Sequence, residues 1–269
     1  MSAMKKLIAP VVTTTLLLTG CGSTGPAADH SKMNHSSAGT EPGTAAPTGG
    51  SYLDETIPES VKTLPLFNES EATVSLDSYK GKWLVLTNFL TSCQEVCPMT
   101  TALMNSIAYT IKTGKHANEF SFAEISVDSK SDTASRLKAY KEVSNSTHLD
   151  LISGNESSLK ELWKYFGAPY EVMSIDAKEA ADLPVDWQTG KKPDHDVMHP
   201  DLVLIISPDQ HWRWINLGSP DASRVKVPLK LQNFLSADGK EHMVNPQQPS
   251  WTSDSVYSAL TALSGVKFS

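Results

Sequence analysis

The sequence predicts an α/β fold, and three observations carry that reading. Two near-continuous apolar runs, "WLVLTNFL" (residues 83–90) and "FSFAEISVD" (residues 120–128), have the character of strands buried on both faces. Stretches with apolar residues at helical spacing lie between and after such runs, so strands alternate with helices. No segment repeats, and a hydrophobic content of 39% suits a soluble core once the polar N-terminal region is set aside.

That region comes first. Lys5 and Lys6 form a positive head, and Leu7–Leu18 is an apolar run of signal-sequence length, too short to span a bilayer. It ends in "LTGC", which is similar to the lipobox of a bacterial lipoprotein, with Thr19 a looser fit than the usual small residue. Residues 1–20 are therefore expected to be a signal peptide and Cys21 the lipidated first residue of the mature chain. Residues 21–51 hold little that is apolar besides alanine, proline and Met33, and read as a flexible tether. The folded domain is expected over 52–269.

Within it, "TLPLFNES" and "ATVSL" read as two short strands around an Asn-containing turn. "DSYKGK" follows as a turn or one helical turn, and then the strand at 83–90. A helix follows Cys97, because Leu103, Ile107 and Ile111 recur every four residues beside Met104 and Ala108. After the strand at 120–128 come a polar-faced helix in "TASRLKAYKEV", a strand in "LDLIS", a helix in "SSLKELWKYFG" stopped by Gly167, and a strand in "YEVMSI". The irregular "DAKEAADLPVDWQTGKKPDHDVMHP" is too long for an idle connection. "DLVLIISPDQHWRWINLG" reads as a hairpin turning at Pro208–Gln210. Residues 219–250 have no clear period and a turn signal at Asp238–Gly239, and "SDSVYSALTALSG" closes the chain as a capped helix.

Chemistry concentrates in "TSCQEVCPMT". Cys93 and Cys97 occupy the loop after a central strand and before a helix, the edge where open α/β sheets build sites. Pro98 suits the first turn of that helix, which puts Cys97 beside the N-cap and predicts a stabilised thiolate there. Lipidation of Cys21 leaves these two to pair only with each other, in a compartment where disulfides persist. A passive bridge would restrain the unfolded chain little across so short a loop, which leaves a redox pair or a metal site. The decision turns on a third ligand. His199 ends the long irregular stretch just before the apolar run Leu202–Ile206 and is the candidate. Two thiolates hold Cu(I), Cu(II) also wants imidazole, and Cys2His with a water is equally an open zinc site. With 23 basic against 30 acidic residues, nothing resembles the basic stripe of a nucleic-acid binder.

"GKWLVLTNFLTSCQEVCPMTT", "FAEISVDSKSDT" and "HDVMHPDLVLIISPDQ", in that order, resemble the Sco/SenC family over roughly Leu64 to Gly218. The resemblance implies a thioredoxin-like central sheet flanked by helices, with an inserted loop or hairpin before the histidine-bearing strand. It implies one copper ion per chain, Cu(I) or Cu(II), held by the thiolates of Cys93 and Cys97 and the imidazole of His199, with a Cys93–Cys97 disulfide as the oxidised form. The implied partner is the copper-centre subunit of cytochrome c oxidase, with another copper chaperone as a second. Met198 and Pro200 depart from the family's usual acidic and hydroxyl residues, and Pro200 falls where thioredoxins place a cis-proline. Met198 offers a thioether or packs in the core, and Asp194 and Asp196 orient His199 or are solvated loop charges. Asp128 either lies at the same edge as part of the site or caps the following turn, and His30, Met33 and His35 form a small ligand-bearing cluster in the tether. Two functions follow: a membrane-anchored copper chaperone on the extracytoplasmic face, or a thiol–disulfide reductase acting on a partner's copper-ligand cysteines. A thioredoxin-superfamily peroxidase is weaker, since that family's motif is missing.

Overall fold

Two seven-residue strands, Trp83–Phe89 and Phe120–Ser126, lie side by side in parallel at the centre of the sheet, where their apolarity on both faces requires them to be. The computed structural model describes residues 49–233, 235–246 and 249–268. The signal peptide over 1–20, the lipidated Cys21 and the tether cluster of His30, Met33 and His35 lie outside the described residues.

In chain order the strands are β1 (Ser51–Thr56), β2 (Leu66–Asn68), β3 (Thr73–Val74), β4 (Trp83–Phe89), β5 (Phe120–Ser126), β6 (Asp150–Gly154), β7 (Glu171–Ser174), β8 (His195–Met198), β9 (Leu202–Ile206) and β10 (His211–Leu217). The helices are α1 (Glu59–Lys62), α2 (Cys97–Lys112), α3 (Ala134–Ser144), α4 (Glu156–Tyr165), α5 (Ala177–Ala180), α6 (Leu229–Gln232), α7 (Ala237–Val244) and α8 (Ser253–Ser264). One sheet runs in the order β1-β10-β9-β4-β5-β6-β2-β3. β4, β5 and β6 are parallel, β9 is antiparallel to β4, and β10 is antiparallel to β9. This is the expected thioredoxin-like arrangement, extended at both edges.

Local chemistry starts and stops the elements. Thr133, Asn155 and Thr252 cap α3, α4 and α8 by accepting backbone N–H groups of the first turn. Gly167 ends α4 with φ +72°, a left-handed conformation that a side chain disfavours. The turn before β2 meets β3 is organised by Asn68, whose Oδ1 accepts from the amides of Ser70 and Ala72. The core under the sheet includes Leu86, Phe89, Phe122, Ile107 and Trp163, all buried.

Four features differ from the sequence reading. β1 joins the sheet as an edge strand although only Leu53 in it is partly buried. The stretch after β7 is not wholly irregular, because β8 returns to pair with β7 as a separate two-stranded ribbon. Asp238 and Gly239 lie inside α7 rather than in a turn. All peptide bonds among the described residues are trans, including that before Pro200. No helix among the described residues is long and apolar enough to cross a membrane.

Leu86, fully buried in the centre of β4, offers a direct check on this core. Leu86→Ala is expected to destabilise the domain by about 2–5 kcal/mol, read as a lower urea midpoint with an unchanged slope.

Candidate metal and dithiol site

β4 delivers its chain directly into the cysteine loop. The Cys93 amide donates to the Leu90 carbonyl at 3.3 Å, and the Cys97 amide donates to the Cys93 sulfur at 3.3 Å. Both cysteines are unbridged thiols here, Cys93 half-buried and Cys97 buried. Their environments push them apart. The Cys97 S–H donates to Cys93, and the amides of Cys97 and Glu95 add to it; against the cost of burial these lower the Cys93 pKa. Cys97 is pushed well up, because it is the donor in that bond and is buried. The expectation of a stabilised Cys97 thiolate is therefore corrected. Cys97 is the first residue inside α2, after Val96, and the amides at a helix start face the chain that precedes it. The Cys97 amide is the one that reaches Cys93.

Cys93, Cys97 and His199 line one open cavity of about 1150 Å³, with His195, Met198 and Asp201 on its walls. His199 follows β8, its side chain 8% exposed, with Nδ1 3.3 Å from the Asn88 amide nitrogen and 3.3 Å from the Pro200 carbonyl. Asn88 also donates to the Pro200 carbonyl at 2.7 Å. Nδ1 is thus turned to the scaffold and Nε2 is left for a ligand. Among the described residues no three His, Cys, Asp or Glu side chains are gathered as a ready-made metal site. The three predicted ligands share a cavity without being gathered on one point, so binding an ion between them requires a local rearrangement.

The other predicted residues divide. Asp128 does both things foreseen: its Oδ1 accepts from the amides of Lys130 and Ser131, and its Oδ2 lies 3.0 Å from His195 Nε2 at the same edge. Asp194 does not orient His199. It bonds His195 Nδ1 at 2.6 Å and Lys130 at 2.8 Å. Asp196 is exposed and accepts only from the neighbouring Val197 amide. The carboxylate nearest His199 is Asp201, with Oδ1 4.0 Å from Nδ1. Met198 is not in the core but 58% exposed on the ribbon.

Several site residues escaped the sequence reading. His195 is clasped between Asp194 and Asp128; burial opposes its charge, but the two carboxylates win and its pKa is raised. The signal available for it was the spacing "HDVMH", which places it four residues before His199 and on a strand face turned inward. Arg136 of α3 is buried, donates to the Thr91 hydroxyl and pairs with Asp186 through two nitrogens. Asp186 is partly buried, yet Arg136 and Thr189 hold its carboxyl at about 2. Thr91 in turn donates to Asp132, and the Trp187 indole donates to the Thr91 carbonyl at 2.7 Å. The insertion is thereby latched to the residue two places before Cys93.

The SCO1/SenC family model matches residues 58–226, more than half of the chain. The chain belongs to the SCO1/SenC family. A Stutzerimonas stutzeri protein named for copper binding is 23% identical to this SCO1/SenC chain over 175 residues, 65% of it and 73% of the relative. Arabidopsis thaliana ScoI with copper bound is 19% identical, covering 59% of this chain and 88% of its own, with TM-score 0.48. Bradyrhizobium japonicum ScoI with copper bound is 21% identical, covering 64% and 97%, with TM-score 0.45.

One turn beyond Cys97, the Thr101 hydroxyl donates at 2.8 Å to Glu124, a fully buried carboxyl whose Oε1 has no partner among the described residues. Burial pushes Glu124 up from 4.5 to about 8, although the Thr101 bond works the other way. The fold thus favours the neutral acid, so the stability it contributes is complete below pH 4.5 and is lost as the pH rises to about 8. Stability measured across that range is expected to fall by up to about 1.4 kcal/mol per pH unit from this group. Glu124→Gln is expected to remove that slope.

Proposed function

We infer that this SCO1/SenC protein carries copper as cargo and hands it to the copper-centre subunit of cytochrome c oxidase, held at the extracytoplasmic face of the membrane by a lipidated Cys21. The single observation that carries the reading is that the two thiols and the His199 imidazole face one open cavity at the end of β4 and the start of β9. Family membership and relatives with copper bound support it.

The donor set fits the cargo. Two soft sulfurs suit Cu(I), and one imidazole adds the nitrogen that Cu(II) prefers. Cys93 is the readier thiolate, and Cys97 must release its proton when an ion enters. Bringing Nε2 of His199 to the ion means giving up at most one long hydrogen bond at Nδ1, with Asn88 or with the Pro200 carbonyl according to the tautomer, a modest cost. Three ligands and a cavity open to solvent let the ion leave again, as delivery requires. Another copper chaperone would supply the ion by the same opening.

A second reading has its own observation. A half-exposed Cys93 with a lowered pKa beside a buried thiol donor is the arrangement of an attacking and a resolving cysteine, which suits reduction of a partner's disulfide. His199 separates the two. His199→Ala in the full chain is expected to weaken Cu(II) binding by at least about tenfold, roughly 1.4 kcal/mol, while the reduction potential of the dithiol stays near its original value. Unchanged copper titration in that variant moves the assignment to the reductase. Separately, Cys21→Ser is expected to release the protein from the membrane fraction; continued sedimentation with membranes would count against lipid anchoring.

A further inference from the structure

The family match ends at residue 226, yet the chain beyond it returns to the cysteine loop. Leu231 and Leu235 are buried, and α7 begins at once after Ser236, whose hydroxyl caps it by accepting from the Gly239 amide at 2.9 Å. The Ser236 amide donates to the Gln94 carbonyl at 2.9 Å. Gly239 lies so close that a Cβ there would come within 2.3 Å of the Gln94 oxygen and 3.1 Å of the Glu95 Cα. Only a glycine permits that approach. On the opposite side, the Gln94 side chain donates to the Val185 carbonyl of the insertion at 2.7 Å.

The Gln94 carbonyl and the Glu95 amide are the two ends of one planar trans peptide, so they point in opposite directions. The oxygen is held by Ser236, and this peptide lies on the short path from Cys93 to Cys97, whose amide donates to the Cys93 sulfur at 3.3 Å. Fixing that planar unit restricts the chain between the two cysteines, and with it the aim of the Cys97 amide at the sulfur.

We propose that Ser236–Gly239 is a positioning element for the dithiol: by holding the 94–95 peptide it keeps the Cys97 amide aimed at Cys93 and makes the reduced pair harder to oxidise. The inference rests on the reading of Cys93 and Cys97 as a redox-active, copper-holding pair. The reaction it tunes is an exchange with glutathione disulfide. An S–S bond forms between Cys93 and Cys97 while the S–S bond of glutathione breaks, and two electrons and two protons pass to give two molecules of reduced glutathione. Stabilising the reduced sulfur shifts that equilibrium toward the dithiol.

The test is redox titration of the full chain in glutathione buffers. Ser236 has φ −62°, which proline adopts without strain, so Ser236→Pro deletes the N–H while leaving that angle in place. It is expected to shift the equilibrium toward the disulfide by about tenfold, about 30 mV. Gly239→Ala, which pushes the Gln94 carbonyl aside, is expected to shift it in the same direction. Ser236→Ala keeps the N–H and loses only the cap, and is expected to move it by less than about threefold, the smaller effect of a lost neutral cap. A Ser236→Pro chain that titrates like the original, or a Ser236→Ala shift as large as that of Ser236→Pro, overturns the proposal. In the unmutated chain, oxidation is expected to move the amide resonances of both Glu95 and Ser236, and a Ser236 resonance that stays put overturns it as well. Failure of the unmutated pair to cycle at all would instead strike the dithiol reading beneath it.

Discussion

The donation of the Cys97 amide to the Cys93 sulfur is the interaction on which the rest of this molecule depends. A thiolate in a half-buried cavity needs a donor. That donor is a backbone group, so its aim is set by where the chain runs and not by a rotamer. β4 fixes the start of the loop and α2 fixes its end. The remaining peptides must be held by something outside, which is why the loop is gripped from both flanks.

One grip is electrostatic. Asp132 is fully buried, and burial followed by repulsion from Asp128 pushes it up to about 7, despite hydrogen bonds from Ser126 and Thr91 and the nearby Arg136. Arg136 joins that carboxyl, through Thr91, to Asp186 and lies 5.3 Å over the Trp187 ring. Such a network is costly to leave half-made, so it holds the insertion in one place. The other grip is steric and polar: a glycine and a backbone N–H from the C-terminal extension seat on the Gln94 carbonyl. The stretch between β7 and β8 and the chain leading into α7 both end on the same seven-residue loop between β4 and α2.

What sequence reasoning could read follows from this division. β4, β5 and the hairpin of β9 and β10 were legible because burial on both faces writes an unbroken apolar run. α2 was legible from its four-residue spacing, and the cysteines and His199 from their places beside apolar strands. β1 was not, because an edge strand with its side chains in water has no alternation to display. β8 was hidden for a similar reason, since only Val197 in it is buried and its partner is a ribbon detached from the main sheet. Gly239 looked like a turn because local rules assign glycine to turns, whereas its reason is a contact with a residue far away in the chain. Pairings such as His195 with Asp128, or Arg136 with Asp186, exist only once the chain has folded.

The claim at the centre of this account is that one copper ion meets two sulfurs and one imidazole. Copper K-edge X-ray absorption on the loaded, full-length chain measures that ligand set directly. Two sulfur neighbours together with the multiple-scattering pattern of a single imidazole, lost on replacing His199, is the outcome expected. A first shell of nitrogen and oxygen alone, or sulfur with an imidazole pattern that survives the loss of His199, would contradict it.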